Sequence, residues 1–172
     1  AEEAVKLARR YGADQSKAYL AGLVHDCAKE FPPEEMEGIL KTEYGVPVDS
    51  MSRLMPKILH GPLGACEAQR KFEIYDPEIL DAIKYHTTGK GNMSTLAKII
   101  YIADYIEPNR DFEGVEKLRR LAYENIDEAI IAGIDETILD LIKRGLIIHP
   151  DTVHARNDLI IKRSREIGRA HV

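Results

Sequence analysis

The stretch "GLVHDCAKEF", residues 22–31, places a histidine beside an aspartate at the end of an apolar run. Leu23 and Val24 come directly before His25 and Asp26, and a run of this kind is typical of the buried face of a helix. Buried charges are tolerated mainly when they are paired or bound to a metal ion. One such dipeptide arises easily by chance, so the remainder of the chain has to supply its partners.

The composition is that of an ordinary globular protein. The chain has 172 residues, of which 44% are hydrophobic and 31% are charged, and this length suits one domain with a sizeable core. Because the formal net charge is -5, we expect no nucleic-acid partner, although a local basic pocket for a small anion is compatible with it. No apolar run has the length of a membrane span, and no signal-peptide pattern opens the sequence, so we expect no membrane partner. The only cysteines are Cys27 and Cys66, which favours a reducing cytoplasm over a disulfide framework.

Helix signals are dense along the chain, and strand signals are scarce. Asp14, Asp76 and Ser94 are residue types that cap the starts of helices, while Pro33 suits a first turn and Gly45 suits a helix end. Apolar residues recur at spacings of three and four, which is the helical period. The helices predicted from these signals cover residues 15–30, 33–44, 77–88, 95–107, 115–125, 127–144 and 151–167. We therefore expect residues 1–172 to form a single all-α bundle.

Three more polar residues stand at positions comparable with His25-Asp26. His60, His86 and Asp104 are far apart along the chain from one another and from His25-Asp26. We therefore expect these four positions to lie on four different helices. Helix bundles build metal sites in this way, from side chains that converge in the core. Imidazole and carboxylate ligands suit iron, manganese or zinc better than calcium or magnesium. His60 or His86 taken alone is more typical of a structural residue, so only the combination of these residues indicates a metal site.

Asp104 is the most informative of the four positions after the dipeptide. Its helical neighbours Ile100, Tyr101 and Ala103 are apolar, so this face of the helix should point inward. An isolated aspartate there would be costly unless a cation or hydrogen-bond donors meet it. The alternative that stays open is a buried carboxylate that accepts a tyrosine hydroxyl or a helix N–H group.

Basic residues follow several of these positions, as an anionic substrate would require. Lys29 lies one turn after His25 and Arg110 lies six residues after Asp104, and arginine suits phosphate through bidentate geometry. Lys90 follows His86 but is more typical of a solvated surface charge. The remaining histidines lack an apolar setting, and two of them are treated as surface residues. These histidines are His149 and the surface pair His154 and His171.

Taken together, these residues resemble those of HD-domain phosphohydrolases. More narrowly, "AGLVHDCAKEFP", "LHGPLGA", "IIHPDT" and above all the tract from Asp81 to Val115 are similar to the bacterial YqeK family over nearly the whole chain. The resemblance implies an all-α HD-domain helical bundle. It also implies symmetrical hydrolysis of bis(5'-nucleosyl) tetraphosphates, in which diadenosine tetraphosphate is split into two ADP with an iron-type metal. A nucleotide is therefore the expected ligand, and a homodimer is a further expected partner state.

The resemblance also implies functions for individual residues. His25, Asp26 and Asp104 match metal ligands for one or two ions, with iron preferred and manganese or another divalent transition metal as the alternative. The matching catalytic positions are His60, His86 and Lys29. The matching substrate-binding positions are Asp26, Cys27, Ala28, Lys29, His60, His86, Thr87, Asp104, Arg110, Pro150, Asp151 and Thr152. From its own setting, Cys27 is more typical of a small core residue than of a nucleophile.

One departure from the family pattern concerns the start of the sequence. The family has a further ligand histidine on its first helix, expected about five residues before Ala1, and "AEEAVKLARR" reads as the second half of an amphipathic helix. We therefore expect the given chain to begin within that helix. Three readings stay open: the tetraphosphate hydrolase, another HD-type nucleotide phosphohydrolase or cyclic-nucleotide phosphodiesterase, and a non-catalytic nucleotide-binding module.

Overall fold

The computed structural model describes residues 1–170, which form ten α-helices and one 3₁₀ turn, with no β-strand in this range. The helices are α1 (Glu2–Tyr11), α2 (Gln15–Val24), α3 (Pro33–Tyr44), α4 (Ser50–Arg53), α5 (His60–Phe72), α6 (Pro77–Lys84), α7 (Thr95–Ile106), α8 (Val115–Glu124), α9 (Ile126–Lys143) and α10 (Pro150–Ala170). The 3₁₀ turn, Pro56–Leu59, leads directly into α5. The predicted all-α fold is confirmed. His171, which the sequence analysis treats as a surface residue, lies outside the described residues.

Side-chain caps mark several helix starts where the sequence predicts them. The Asp14 carboxylate accepts the backbone N–H groups of Ser16 and Lys17 at the start of α2. Asp76 and Ser94 act in the same way at α6 and α7. Each cap of this kind typically stabilises a helix by about 1 kcal/mol, so the caps help to fix where these helices begin.

The α7 helix is the centre of the bundle. It packs against α1, α2, α6, α8 and α9, and a helix surrounded in this way must be apolar on nearly every side. Its buried residues are Leu96, Ala97, Ile99, Ile100, Tyr101, Ile102, Ala103 and Ile106. A carboxylate on this helix, Asp104, is therefore carried into the interior.

None of the helices within residues 1–170 combines the length and the apolar character that a membrane crossing requires.

Two helices end earlier than the sequence predicts, and both changes affect the site. The α2 helix ends at Val24 and α6 ends at Lys84, so His25-Asp26 and His86 lie in turns just beyond helix ends. The prediction that all four positions lie on helices is therefore wrong for His25-Asp26 and for His86. In each turn the histidine ring bonds to a carbonyl of the preceding helix, and such side-chain bonds compete with continuation of the helix.

Candidate active site

The rings of His25, His60 and His86 are oriented in the same way. The Nδ1 atom of His25 lies 2.8 Å from the carbonyl oxygen of Gly22, three residues earlier. In the other two histidines, Nδ1 lies 2.7 Å from the equivalent carbonyl oxygen. A carbonyl oxygen can only accept a hydrogen bond, so each Nδ1 carries a proton and each Nε2 presents a lone pair when the ring is neutral. The backbone thus fixes three imidazole nitrogens in the form that binds metal ions.

These three nitrogens converge on the carboxylate of Asp26. Its Oδ1 lies 3.3 Å from Nε2 of both His60 and His86, and its Oδ2 lies 3.6 Å from Nε2 of His25 and 2.8 Å from Nζ of Lys29. Burial alone would raise the pKa of Asp26, but the histidines and the lysine hold it far below its ordinary value. The carboxylate is therefore ionised, and it stands at the centre of the cluster.

The contact between His60 and His86 requires a positive charge. Their Nε2 atoms are 3.0 Å apart, and in the neutral rings both atoms would present lone pairs. Two lone pairs at this distance repel each other unless a proton or a cation lies between them. The arrangement is therefore built around a charge that the two neutral imidazoles do not supply.

Asp104 is a second carboxylate that approaches the Nε2 atom of His25. Its Oδ1 lies 3.8 Å from Nε2 of His25, and both of its carboxylate oxygens lie 3.1 Å from one nitrogen of Arg110. Burial by itself raises the pKa of Asp104, but His25 and Arg110 outweigh it and lower the pKa to about 2. In turn, burial lowers the pKa of His25, whereas Asp104 and Asp26 raise it above its ordinary value. The carboxylate-lined side of the cluster therefore favours positive charge.

A second arginine, which the sequence analysis did not single out, holds the loop that carries Arg110. The guanidinium of Arg119 in α8 donates to the carbonyl oxygens of Ile106 at 3.0 Å, Glu107 at 2.7 Å and Arg110 at 2.8 Å. Ile106 is the last residue of α7, so its carbonyl has no helical partner, while the carbonyls of Glu107 and Arg110 belong to the loop that follows. A surface arginine gives no sequence signal of this function, because the bonds join α8 to a loop of irregular shape.

The cluster fits a divalent transition-metal ion. Within residues 1–170, His25 Nε2 is buried and has no hydrogen-bond partner, although carboxylate oxygens lie 3.6 and 3.8 Å away. Two ligand atoms that each lie about 2.1 Å from one ion are about 3.0–3.4 Å apart, so gaps of this size need only a small closure around an ion. One ligand atom each from His25, Asp26 and His86 lie within 4.8 Å of one another. Nitrogen and carboxylate donors in this ratio suit iron, manganese or zinc.

Two cavities that share lining residues lie beside the cluster on the side of Thr87. The first, called the outer cleft, has a volume of about 640 Å³ and contains Asp26, Lys29, His60, His86, Asp104 and Arg110 in its lining. The second, called the inner pocket, has a volume of about 170 Å³ and is lined by residues that include Pro47, Val48, Tyr85, His149 and Asp151. Ile58 and Thr87 line both cavities, so the two meet there. The hydroxyl oxygen of Thr87 is buried without a hydrogen-bond partner among the described residues, which leaves it free for a ligand.

Not every residue assigned by the resemblance has its side chain in these cavities. Ala28 is fully buried in the smaller core cluster with Met36 and Leu40, and the Cys27 thiol donates to the carbonyl oxygen of Gly64 at 3.4 Å. Of the other assigned residues of the HD tracts, His25 lies outside the outer cleft and the remainder line it. In the "HPDT" stretch, Asp151 lines the inner pocket, Pro150 is exposed and Thr152 is buried.

His149 is buried, although no apolar setting is predicted for it from the sequence. Its side chain is 8% exposed. Its Nδ1 accepts the backbone N–H of Asp151 at 3.1 Å, so Nε2 carries the proton and donates to the Ser52 hydroxyl at 3.0 Å. The two isoleucines that precede it, at positions 147 and 148, were the available signal. Lys90, by contrast, pairs with Asp81 at 2.7 Å and lies outside both cavities.

Comparison with known proteins identifies the class that this fold and this cluster define. The family model described as "HD domain" matches residues 1–109, so the chain belongs to the HD domain family. Its relatives then place it in the YqeK branch of that family, as the sequence motifs predict.

Two of these relatives carry the name "Bis(5'-nucleosyl)-tetraphosphatase, symmetrical". The protein of Bacillus subtilis (strain 168) is 43% identical over 157 residues, which are 91% of this chain and 83% of the relative. The protein of Staphylococcus aureus (strain NCTC 8325 / PS 47) is 40% identical over 159 residues, which are 91% and 81% of the two chains.

A solved structure shows the same fold. The crystal structure of a "predicted HD superfamily hydrolase involved in NAD metabolism" from Clostridium acetobutylicum is 45% identical. It superposes with a TM-score of 0.91 over 94% of this chain and 85% of that chain. The fold and the family are therefore established together, and the HD domain implies a divalent metal.

Proposed function

We propose that this protein is a metal-dependent hydrolase that splits diadenosine tetraphosphate into two ADP. The observation that carries the proposal is the convergence of three imidazole Nε2 atoms on the Asp26 carboxylate beside Lys29 and Arg110. It joins donors for a cation to side chains that neutralise phosphate. The relatives named symmetrical bis(5'-nucleosyl)-tetraphosphatases support the choice of substrate.

In this proposal the cluster holds iron, with manganese as the alternative. His25, Asp26 and Asp104 would hold one ion. His60 and His86, on the Oδ1 side of Asp26, offer a second group of donors. The metal content of the purified protein would show whether one ion or two are bound. A bound divalent cation supplies Lewis acidity, and it lowers the pKa of a water molecule that it binds.

The substrate would lie across both cavities. Lys29 and Arg110 would neutralise phosphoryl oxygens, and the free hydroxyl of Thr87, where the cavities meet, would donate to another. The first nucleoside would enter the inner pocket beside Asp151. Asp151 lies between Pro150 and Thr152 in the first turn of α10, which therefore borders this pocket. Apolar walls with a few polar groups are typical of such ligand pockets.

The reaction consumes one water molecule. Its oxygen forms a bond to the second phosphorus from the bound nucleoside, and the bond from that phosphorus to the oxygen bridging the second and third phosphorus atoms breaks. One ADP retains the water oxygen, and the other leaves with the bridging oxygen. His60 or His86 would hold the proton that passes to the leaving phosphate, since imidazole can act as a general acid.

Hydrolysis in heavy-oxygen water tests this proposal. The assay supplies Fe(II) and is run on this chain and on a version extended at its N-terminus by helical turns that carry the expected further histidine. We expect ADP as the only nucleotide product, with the label in half of it. A mixture dominated by AMP and ATP would refute symmetrical cleavage and leave the metal cluster standing. Cleavage confined to other nucleotides would indicate a different HD-type phosphohydrolase, and binding without turnover would indicate a binding module.

Four wider expectations stay predictions attached to this proposal. We propose that residues 1–172 act as one HD domain, which is supported by a core cluster that joins α1 to α7 and α10. The net charge of -5 supports the expected lack of a nucleic-acid partner. The half-buried free thiols of Cys27 and Cys66 agree with a reducing cytoplasm. The homodimer can be measured by the mass of the protein in solution.

A further inference from the structure

The outer cleft extends past the phosphate-binding residues to a wall of different chemistry. This wall is formed by Phe112, in the loop between α7 and α8, and by Glu136, Thr137 and Asp140 from α9. It faces the same cavity of about 640 Å³ that contains the metal cluster. That cavity is more than three times the volume of the inner pocket, so the cleft has room beyond what the phosphates near the cluster occupy.

The wall is held firmly in place. Phe112 packs against the main core cluster while it lines the cleft. The Thr137 hydroxyl donates to the carbonyl oxygen of Gly133 at 3.0 Å and is hydrogen-bonded to the hydroxyl of Tyr105, which joins α9 to α7. A fixed aromatic ring in a cleft is a ready platform for a nucleobase, because every base presents a π-face.

The charge of the wall points to a nucleoside instead of a phosphate. Glu136 would repel a phosphate, whereas a carboxylate accepts hydrogen bonds from ribose hydroxyls and from the amino group of adenine. The neighbouring Asp140 carboxylate is paired with Arg144 at 3.0 Å. Three cationic residues line the cleft, Lys29, Lys57 and Arg110, and two of them, Lys29 and Arg110, lie on the side of the metal cluster, where they contact Asp26 and Asp104. The cleft is therefore cationic where the phosphates would lie and acidic at this wall.

We propose that this wall binds the second nucleoside of the dinucleotide, with its base on the Phe112 ring and its ribose hydroxyls donating to the carboxylates of α9. The inference rests on the proposed function, which places the first nucleoside in the inner pocket. It assigns a specificity to the same site: a ligand that ends in a nucleoside is preferred to one that ends in a terminal phosphate.

A pair of substrates isolates this contact. Diadenosine tetraphosphate and adenosine 5'-tetraphosphate share one nucleoside and four phosphates, and only the first has a second nucleoside. Stacking of a base on an aromatic side chain is typically worth about a 5- to 150-fold change in binding. We expect Phe112→Ala to lower kcat/KM for the dinucleotide by about that factor and to change the value for adenosine 5'-tetraphosphate less than about twofold. Where adenosine 5'-tetraphosphate is not turned over, its inhibition constant replaces kcat/KM.

Further variants separate stacking and charge from folding. Phe112→Leu keeps an apolar side chain against the core but removes the ring, so it should show the same selective loss. Glu136→Gln should improve the recognition of adenosine 5'-tetraphosphate by about two- to fivefold, because it removes a repulsive charge. Phe72→Ala, which changes an exposed phenylalanine in α5 outside the cleft, should leave the ratio between the two substrates unchanged.

The outcomes distinguish this inference from the proposed function. If the wild-type chain cleaves the dinucleotide but the Phe112 variants lose activity equally on both substrates, or lose none, the second-nucleoside site is refuted and the hydrolase stands. If the wild-type chain cleaves neither substrate, the proposed function fails and the inference fails with it.

Discussion

Replacing Gly61 by alanine should separate the two histidines that flank Asp26. Gly61 follows His60 in the first turn of α5, where its backbone meets the end of α6. A Cβ atom at this position would lie 2.5 Å from the carbonyl oxygen of Lys84 and 3.4 Å from the Thr87 hydroxyl. Ordinary carbon–oxygen contacts are no closer than about 3.3 Å, so the two helices must move apart by about 0.8 Å.

This displacement acts on the cluster directly, because one helix carries His60 and the other leads into His86. A misplacement of about 1 Å in a catalytic group can cost about 100-fold in rate, and overpacking typically costs about 1–3 kcal/mol of stability. For Gly61→Ala we therefore expect kcat/KM to fall about 10- to 100-fold and the free energy of unfolding to fall by about 1–3 kcal/mol. Weaker metal retention should accompany the loss.

The assay measures hydrolysis, thermal unfolding and metal content on the same preparations. Gly38→Ala is the matched control, because a Cβ at Gly38 in α3 meets nothing within 4 Å and alanine favours a helix. That variant should keep full activity and unfold at the same or a higher temperature. If Gly61→Ala has the activity and stability of the wild type, the close approach of α5 and α6 does not hold the two histidines in place.

Further predictions concern the metal, the phosphate contacts and one buried carboxylate. Asp26→Ala and Asp104→Ala should each abolish tight metal retention in elemental analysis, and stoichiometric metal in both variants would contradict the assigned ligands. Arg110→Ala should slow turnover about 10- to 150-fold with metal content intact, since a hydrogen bond to a charged group is typically worth about 1.5–3 kcal/mol. Unchanged kinetics would assign Arg110 to the surface. Glu67 is buried and bonded to Tyr44; burial alone would raise its pKa, but its partners lower it below 4.5. A carboxylate with a depressed pKa stabilises the fold above its unfolded pKa and loses this effect as pH falls, so Glu67→Gln should destabilise the protein at pH 7 and progressively less below about pH 4.5. Denaturant titrations across this range measure the difference, and a constant difference would rule out the ionised carboxylate as its source.

Most of the helical architecture can be predicted from local signals in the sequence. Capping residues such as Asp14 and Asp76 act where their chemistry predicts, because a cap is a contact between residues two or three positions apart. The early ends of α2 and α6 were not predictable in the same way. The apolar pattern runs on through both segments, whereas the helix ends where a histidine ring bonds to a carbonyl of the preceding turn.

The residue types of the metal cluster were visible in the sequence, but their partners were not. Aspartate and histidine in apolar runs indicate that a compensating charge must exist, yet spacing does not say that Asp26 stands at the centre. The contributions of Arg119 and Phe112 depend on loops and on helices distant in the chain, for which a single sequence carries no periodic signal. Long-range contacts of this kind become readable only once the helices are packed.

The backbone bonds of the three histidine rings connect ion exchange to local breathing of the protein. Each ring is fastened to the last turn before it, so a ring and its lone pair are released together when that turn frays. The lifetime of a bound ion is then set by the opening of short backbone segments, and loading with metal should slow hydrogen–deuterium exchange of the amides in those segments. Because Nδ1 of each ring lies against a backbone carbonyl, changes that stiffen or loosen these turns should alter the exchange of the ion.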